Sequence, residues 1–364
     1  MAGNTESAPK RSAAYWGLRI LLPVVIGLGV VAWLFHKEFS PEVWRDIHFD
    51  SRVIGCICLA WVFMLGRDFG LSWRFRALTD HQLRWPQAFK VNFLCEFTSC
   101  VTPSAVGGSS LGMFFMHSEG IELGRATTLM ITTLFLDELF FCVSLPVIML
   151  AVPYDELFGF SVHTGFALGL TTVFWIIYGV IFLWTVILFA GLLVRPHAVS
   201  GFLVWLFGFR PIRRWRPAVA SLGANMVSTS AELRHRSWRW WGEAFMGTAL
   251  SWSSRYLVVN ALFLGFAPQA DQIVVFARQF VIWVVLMISP TPGGSGVSEW
   301  LFTEYYGDMI TPGVALVMAL FWRIISYYVY LAIGACLLPG FLRKTFNKSS
   351  DCLLYTSPSP RDIS

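Results

Sequence analysis

The chain has 364 residues, 56% hydrophobic and only 13% charged, with a mean hydropathy of +0.61 and a formal net charge of +5. A soluble domain carries roughly 25% charged residues, so the composition excludes a large soluble domain and describes an integral membrane protein. The basic residues cluster beside apolar runs, where they report topology rather than a nucleic-acid surface.

Residues 1–16 read as a cytoplasmic N-terminus. No small-residue cleavage site follows the next apolar run, so Gly17–Phe35 is predicted to be a retained first span. A second span covers Val53–Trp73 and contains Arg67 and Asp68, with Arg67 placed to snorkel. Between Arg74 and Lys90 four basic residues face one acid, Asp80, which puts this segment and the N-terminus on the cytoplasmic side. Residues 91–117 are apolar but broken around Thr102-Pro103 and Gly107-Gly108. Each half has about ten residues, too few for a bilayer that needs about 20. They predict a helical hairpin that enters and leaves on one face.

Leu123–Val152 is a span with Asp137 and Glu138 near its middle, and the acidic link Pro153–His163 reads as external. Thr164–Val194 is another span. The region 195–240 holds eight arginines against one acid, Glu232, and reads as a cytoplasmic loop. Within it, GFLVWLFGFRPIRRWR reads as an interfacial amphipathic segment. Trp241–Phe266 is a span carrying Arg255. Residues 272–305 form a second broken segment, entered from outside. Gly313–Leu338, carrying Arg323, is the last span and leads to a basic, cytoplasmic tail. The expected fold is therefore an all-α polytopic membrane protein with six full spans and two re-entrant hairpins. Reading each broken segment as a pair of short spans, or as one span with a loop, gives eight. The membrane domain is taken as 17–345, and residues 349–364 read as a non-native tail.

The second break is the sequence ISPTPGGSGVSEW. Pro290 and Pro292 cannot continue a helix, and Gly293, Gly294 and Gly296 admit backbone shapes that other residues resist. In lipid, broken backbone is tolerated only where it is buried in protein or lines a wet cavity. The stretch therefore reads as a site, with a simple connecting loop as the alternative. TPSAVGGS and TPGGSGVS share Thr-Pro, Gly-Gly and Ser, and dip in from opposite faces. That is the pattern of an inverted repeat, from which many transporters build a mid-membrane site.

Seven ionisable residues lie in apolar spans: Asp68, Asp137, Glu138, Arg255, Arg278, Glu299 and Arg323. Each costs a few kcal/mol at mid-bilayer, so each marks either a pathway or a structural ion pair. Asp137 and Glu138 point about 100° apart on a helix, and either can meet Arg255 or Arg323. The half-helices starting near Ser109 and Val297 offer positive ends that suit a phosphate, with Arg255, Arg278 and Arg323 around it. If transport is proton-coupled, Glu299 and Asp137 are the candidate carboxylates. Six of the seven cysteines lie in apolar runs and read as small buried hydrophobes. No metal-ligand spacing or cofactor motif appears. All seven histidines precede Ser295, so the GGSG stretch lacks a base on a later span and no catalytic residue is predicted.

Three blocks, TPSAVGGSSLGMFFMHSEGI (102–121), SPTPGGSGVSE (289–299) and LFWRIISYYVYLAIG (320–334), resemble the flippase-like family that includes the transmembrane domain of lysylphosphatidylglycerol synthase. The resemblance covers residues 15–345. It implies a polytopic inner-membrane protein that moves lipid, and carries over Pro103, Gly107, Gly108, Pro292, Gly293, Gly294, Gly296, Glu299 and Arg323. One departure stands out: Gly108 is followed by Ser109 and Ser110, where many members have Gly-Glu and a following Arg. The aminoacyl-transferase domain of the synthases is absent, so synthesis of lysyl-lipid is not expected. The resulting expectation is a flippase or transporter, not an enzyme, moving a phospholipid or a polyprenyl-phosphate-type lipid across the inner membrane. The expected ligand is a membrane lipid with a phosphate headgroup. Envelope-lipid biosynthesis proteins are the expected partners. The alternatives are an accessory subunit docked through 195–240 and an intramembrane lipid-modifying enzyme. The expected binding set is Pro103, Gly107, Gly108, Asp137, Glu138, Arg255, Arg278, Pro292, Gly293, Gly294, Gly296, Glu299 and Arg323.

Overall fold

A computed structural model of the chain describes residues 49–102, 106–159, 164–208, 213, 216–289, 291 and 293–341. The predicted first span, Pro103, Pro290, Pro292 and the tail 349–364 lie outside the described residues.

Helix α1 (Ser51–Leu78) starts where the Asp50 carboxylate accepts from the Val53 N–H at 2.8 Å, satisfying one of the free donors of the first turn. Its 28 residues span about 42 Å. Asp80 and His81, both left-handed with φ of 51° and 60°, turn the chain into α2 (Trp85–Val101), which has Pro86 in its first turn. Helices α2 and α3 (Val106–Ser118) form the first hairpin. Glu119, at the end of α3, accepts from Lys90 at 2.8 Å and from Gln87 at 3.3 Å near the start of α2. Helices of 17 and 13 residues reach about 26 and 20 Å, short of a hydrocarbon core of about 30 Å. Gly107 and Gly108 open α3.

Helix α4 (Leu123–Ala151) returns along the bundle, followed by the short α5 (Tyr154–Phe158) and by α6 (Thr164–Phe189), which widens into a π-helical turn at Ala190–Val194. On α6, Ile176, Val180 and Leu183 are 63%, 63% and 61% exposed at helical spacing, the stripe a lipid-facing helix presents. Residues 195–240 differ from the expected loop. They contain two helices, α7 (Pro196–Leu206) and α8 (Arg216–Leu233), packed on each other, with α8 also packed on α4. Thr229 of α8 donates to the Thr128 hydroxyl of α4 at 3.1 Å. Apolar Leu203 and Leu233 are buried, so part of the predicted interfacial segment packs against protein. Much of its arginine-rich part lies outside the described residues.

Helix α9 (Trp238–Phe266) runs along α1. Glycines permit the approach: a Cβ at Gly70 would sit 2.8 Å from Gly247 O, and one at Gly247 would sit 2.9 Å from Gly70 O. The second hairpin is α10 (Gln272–Leu286) and α11 (Val297–Tyr305), joined through the glycine-rich break. The Tyr306 hydroxyl, just past α11, donates to Val275 O near the start of α10 at 2.9 Å. Helix α12 (Pro312–Arg323) widens into a π-helical turn at Ile324–Tyr328, and the apolar span continues to Phe341.

Four described helices are long and apolar enough to cross a membrane: Ser51–Leu78, Leu123–Ala151, Ala167–Val194 and Gly313–Phe341. Helix α9 is as long, at 29 residues, but more polar, with Arg239, Glu243 and Arg255. The architecture is that of an all-α polytopic membrane protein. Its helices bring two ion-pair clasps to opposite ends. At one end Asp80 accepts from Arg125 at 2.6 Å and from Arg236 at 2.8 Å, and Arg236 also bonds Glu232 at 3.0 Å. Burial works against the Arg236 charge, but the bonds to Asp80 and Glu232 outweigh it and hold its pKa above the ordinary guanidinium value. At the other end Arg278 ties α5, α10 and the α11–α12 link together.

Candidate functional site

The break between α10 and α11 is a tight, left-handed path. Gly293, Gly294 and Gly296 have φ of 57°, 71° and 87°. Gly293 is also pressed against α12, because a Cβ there would run into the Tyr327 ring. The chain then closes on itself. One Glu299 oxygen accepts from the Gly296 N–H and the Ser298 hydroxyl, both at 2.7 Å. The other accepts from Arg323 Nε at 3.0 Å. Arg323 also donates to the Ser295 hydroxyl at 3.1 Å, and its guanidinium lies 3.9 Å from the Tyr327 ring centroid. The break is thus riveted to the last span at the point where that span widens.

This arrangement corrects one expectation. The positive end of α11 was to receive a phosphate, but Glu299 already occupies it as an internal anion.

A second polar layer crosses the middle of the bundle. Arg67 is fully buried, pairs with Asp68 at 2.6 Å and with Glu96, and lies 5.0 Å over the Tyr330 ring. It does not snorkel; its neighbours satisfy the charge within the bundle. Asp68 also accepts from Asn92 at 3.1 Å and from the Tyr330 hydroxyl at 2.7 Å. Arg255 bonds the other Glu96 oxygen at 3.2 Å and lies beside two indoles, 5.2 Å from Trp252 and 4.5 Å from Trp283. Asp137 accepts from Arg74 at 2.6 Å and from Trp252 Nε1 at 2.8 Å. Its partner is therefore Arg74, not Arg255 or Arg323. The helix orientations, which set the pairing, carry Arg74 inward from the end of α1.

Between these layers lies a cavity of about 240 Å³. Its charged lining is Arg74, Glu96, Asp137, Glu138, Arg255 and Arg323, with Trp252, Trp283, Trp322 and Tyr327 as aromatic walls. Both hairpins reach it: Glu96, Ser99 and Cys100 from α2, and Gly293 and Gly294 from the break. The structure thus brings together Asp137, Glu138, Arg255, Gly293, Gly294 and Arg323 from the predicted set. Glu299 and Gly296 stand directly behind Arg323 through hydrogen bonds.

Arg278 does not join them. It is 1% exposed and donates to Glu156 O at 2.8 Å, Tyr305 O at 2.8 Å and Asp308 at 2.7 Å. Its role is to close the end of the bundle, where its bonds hold protein groups. Arg74, Glu96, Trp252 and Trp283 belong to the site but were not in the predicted set. Glu96 carried the same signal as the others, a charge within the apolar run VNFLCEFTSC. Arg74 was masked by its place in a basic flank.

The family model described as lysylphosphatidylglycerol synthase TM region matches residues 20–334. That stretch contains both hairpins and every charged residue of the cavity. A UPF0104 membrane protein of Archaeoglobus fulgidus is 23% identical over 325 residues, which cover 86% of this chain and 94% of that relative.

Proposed function

The chain belongs to the lysylphosphatidylglycerol synthase TM-region family, and from that premise we propose that it moves a phospholipid or polyprenyl-phosphate-type lipid between leaflets. The observation that carries this reading is the cavity itself. It sits at the middle of long helices, is lined by both broken hairpins, and combines guanidinium groups with aromatic walls. Arg255 is the headgroup residue. Among the described residues its side chain makes one hydrogen bond, from Nη2 to Glu96, leaving N–H groups for a phosphate oxygen. The indoles of Trp252 and Trp283 hold its plane. The acyl chains stay in the bilayer while the headgroup crosses through the cavity. Alternating access comes from opening the Asp80 clasp and the Arg278 clasp in turn.

On the arginine excess of 195–240 we further propose that the Asp80 end faces the cytoplasm of a bacterial cell, at the inner membrane. No catalytic role is assigned to any residue. Reconstitution into vesicles with headgroup-labelled phosphatidylglycerol, phosphatidylethanolamine and a polyprenyl phosphate tests the reading. Accelerated movement of one of these over empty vesicles, lost in Arg255→Ala, supports it. No movement of any labelled lipid above the empty-vesicle rate would favour the accessory-subunit reading instead.

A further inference from the structure

Among the described residues each guanidinium that lines the cavity is answered by a carboxylate, and one lining carboxylate is answered by none. Arg74 is answered by Asp137, Arg255 by Glu96 and Arg323 by Glu299. Glu138 lines the same cavity. Among the described residues no salt bridge or hydrogen bond engages it, and its Oε2 is buried without a partner. The neighbours do not supply a cation. On its own helix Asp137 is of like sign, and Arg125 is bound to Asp80 at the helix start. Among the described residues four helices pack most closely against α4. Of these, α9 brings Arg255, committed to Glu96, with Arg239 and Glu243 in its first turns. Helix α6 has no Asp, Glu, Lys, Arg or His, and its Tyr178 hydroxyl donates to Cys142 O at 3.4 Å. The His117 ring of α3 is bonded to Ile121 O, and Glu232 of α8 is bonded to Arg236. Arg216 stands at the first turn of α8.

A single unanswered negative charge is costly inside a bilayer. A lipid phosphate arriving at Arg255 would add a second. One proton from solution, converting the Glu138 carboxylate to its neutral acid, removes that conflict, and its release on the far side resets the cavity. We propose that Glu138 is a proton-binding site coupled to the headgroup site, so that one proton enters the cavity with each lipid phosphate. The inference rests on the phosphate-headgroup reading above. Glu138 takes the place of the two carboxylates that the sequence offers for coupling, because Glu299 already accepts three hydrogen bonds and Asp137 accepts from Arg74 and Trp252. A neutral Glu138 also gains a donor for the phosphate or for Asp137.

The purified full chain in detergent, weakly buffered with a pH-indicator dye, is titrated with dihexanoylphosphatidylglycerol, whose phosphodiester keeps one charge. At alkaline pH, where Glu138 is ionised before lipid binds, wild type is expected to take up about one proton per lipid bound, and its affinity to rise up to about tenfold per unit fall in pH. Glu138→Gln should bind the lipid with no proton uptake and a flat pH profile, whereas Glu304→Gln, at an exposed carboxylate outside the cavity lining, should retain uptake. Lipid binding without proton uptake in wild type overturns this inference alone, as does undiminished uptake in Glu138→Gln. Absence of lipid binding in wild type overturns the headgroup reading and this inference with it. Should Glu138→Gln not fold, Glu138→Asp, which keeps the carboxylate, must retain proton uptake, and its loss there counts against the proposal as the wild-type result would.

Discussion

Glu299 and Arg323 meet at 3.0 Å, 24 residues apart in sequence, with side chains 1% and 5% exposed. The pair is a support for the break rather than a free binding group, because each partner holds a piece of the loop: Glu299 the Gly296 N–H, Arg323 the Ser295 hydroxyl. Removing one partner leaves the other as an uncompensated buried charge. Glu299→Ala or Arg323→Ala is therefore expected to destabilise the chain by about 3–5 kcal/mol. The double change Glu299→Met with Arg323→Met should cost less than either single alanine, since it removes both charges and keeps apolar volume. Detergent thermal unfolding, followed by retention on size exclusion, reads the order. Equal losses in all three variants would contradict it.

Gly293 and Gly294 separate two effects of glycine. Both have positive φ, so alanine at either position bears a backbone cost of roughly 1–2 kcal/mol. Only at Gly293 would the new Cβ also run into Tyr327, whereas at Gly294 its nearest neighbour is Leu286 Cδ2 at 3.5 Å, an ordinary contact. Gly293→Ala should thus lower thermal stability clearly more than Gly294→Ala. Adding Tyr327→Ala should recover part of the Gly293→Ala loss and none of the Gly294→Ala loss. Melting curves of the four variants decide this.

The break was legible in the sequence because proline and glycine punctuate an apolar run in a way that only a few backbones can satisfy. Its partner in the bundle was not. Charges inside spans are conspicuous because each must be compensated, but compensation by a ligand and compensation by another helix leave the same trace in one chain. Arg278 and Arg255 show how differently two such charges can be placed. Both interrupt apolar helices, yet Arg278 sits six residues after the start of α10, level with the Asp308 link that neutralises it, whereas Arg255 lies deep in α9 beside the cavity. Arg74 shows the opposite error. It closes a basic flank in the sequence, and only the packing of α1 on α9 aims it inward at Asp137. The α7–α8 hairpin was hidden for a related reason: its arginine excess dominates the composition, while its few buried contacts, Leu203, Thr229 and Leu233, are dispersed.

The α1–α9 seam predicts a purely steric effect. At Gly70 a Cβ would approach Gly247 O and Ser251 N, both at 2.8 Å, and backbone atoms cannot rotate away. Gly70→Val should force the helices apart and cost about 3 kcal/mol or more, at the upper end of overpacking penalties. Gly55→Val, on the same helix with nothing within 4 Å of its Cβ, is the control and should be nearly neutral. Comparable yields and melting temperatures for the two valines would remove the seam as a determinant of stability.

The Arg278 clasp is expected to govern opening of its end of the bundle. The guanidinium makes bonds to two carbonyls and a carboxylate in fixed directions, which an ammonium group cannot reproduce. Arg278→Lys should therefore raise amide hydrogen exchange in Tyr154–Phe158 and around Asp308. Exchange near Asp80, at the far end, should stay as in wild type. A global rise in exchange would mean that Arg278 supports the whole fold and not one end of it.

Arg255 is the residue whose chemistry bears most directly on the proposed headgroup site. Its charge alone does not account for its placement, because Trp252 and Trp283 flank the guanidinium and Glu96 fixes one edge. Lysine keeps the charge but has no planar face to hold against an indole and no second edge to offer while bonded to Glu96. Loss of one charge-assisted hydrogen bond is worth about 1.5–3 kcal/mol. Arg255→Lys should therefore retain dihexanoylphosphatidylglycerol about tenfold or more weakly, with melting temperature little changed. In Arg255→Ala the binding loss should be greater, and Glu96 should still be held by Arg67. Isothermal titration of the detergent-purified variants measures both. Binding by Arg255→Ala equal to wild type would show that the headgroup contacts other lining residues, with Arg74 and Arg323 the remaining guanidinium groups of the cavity.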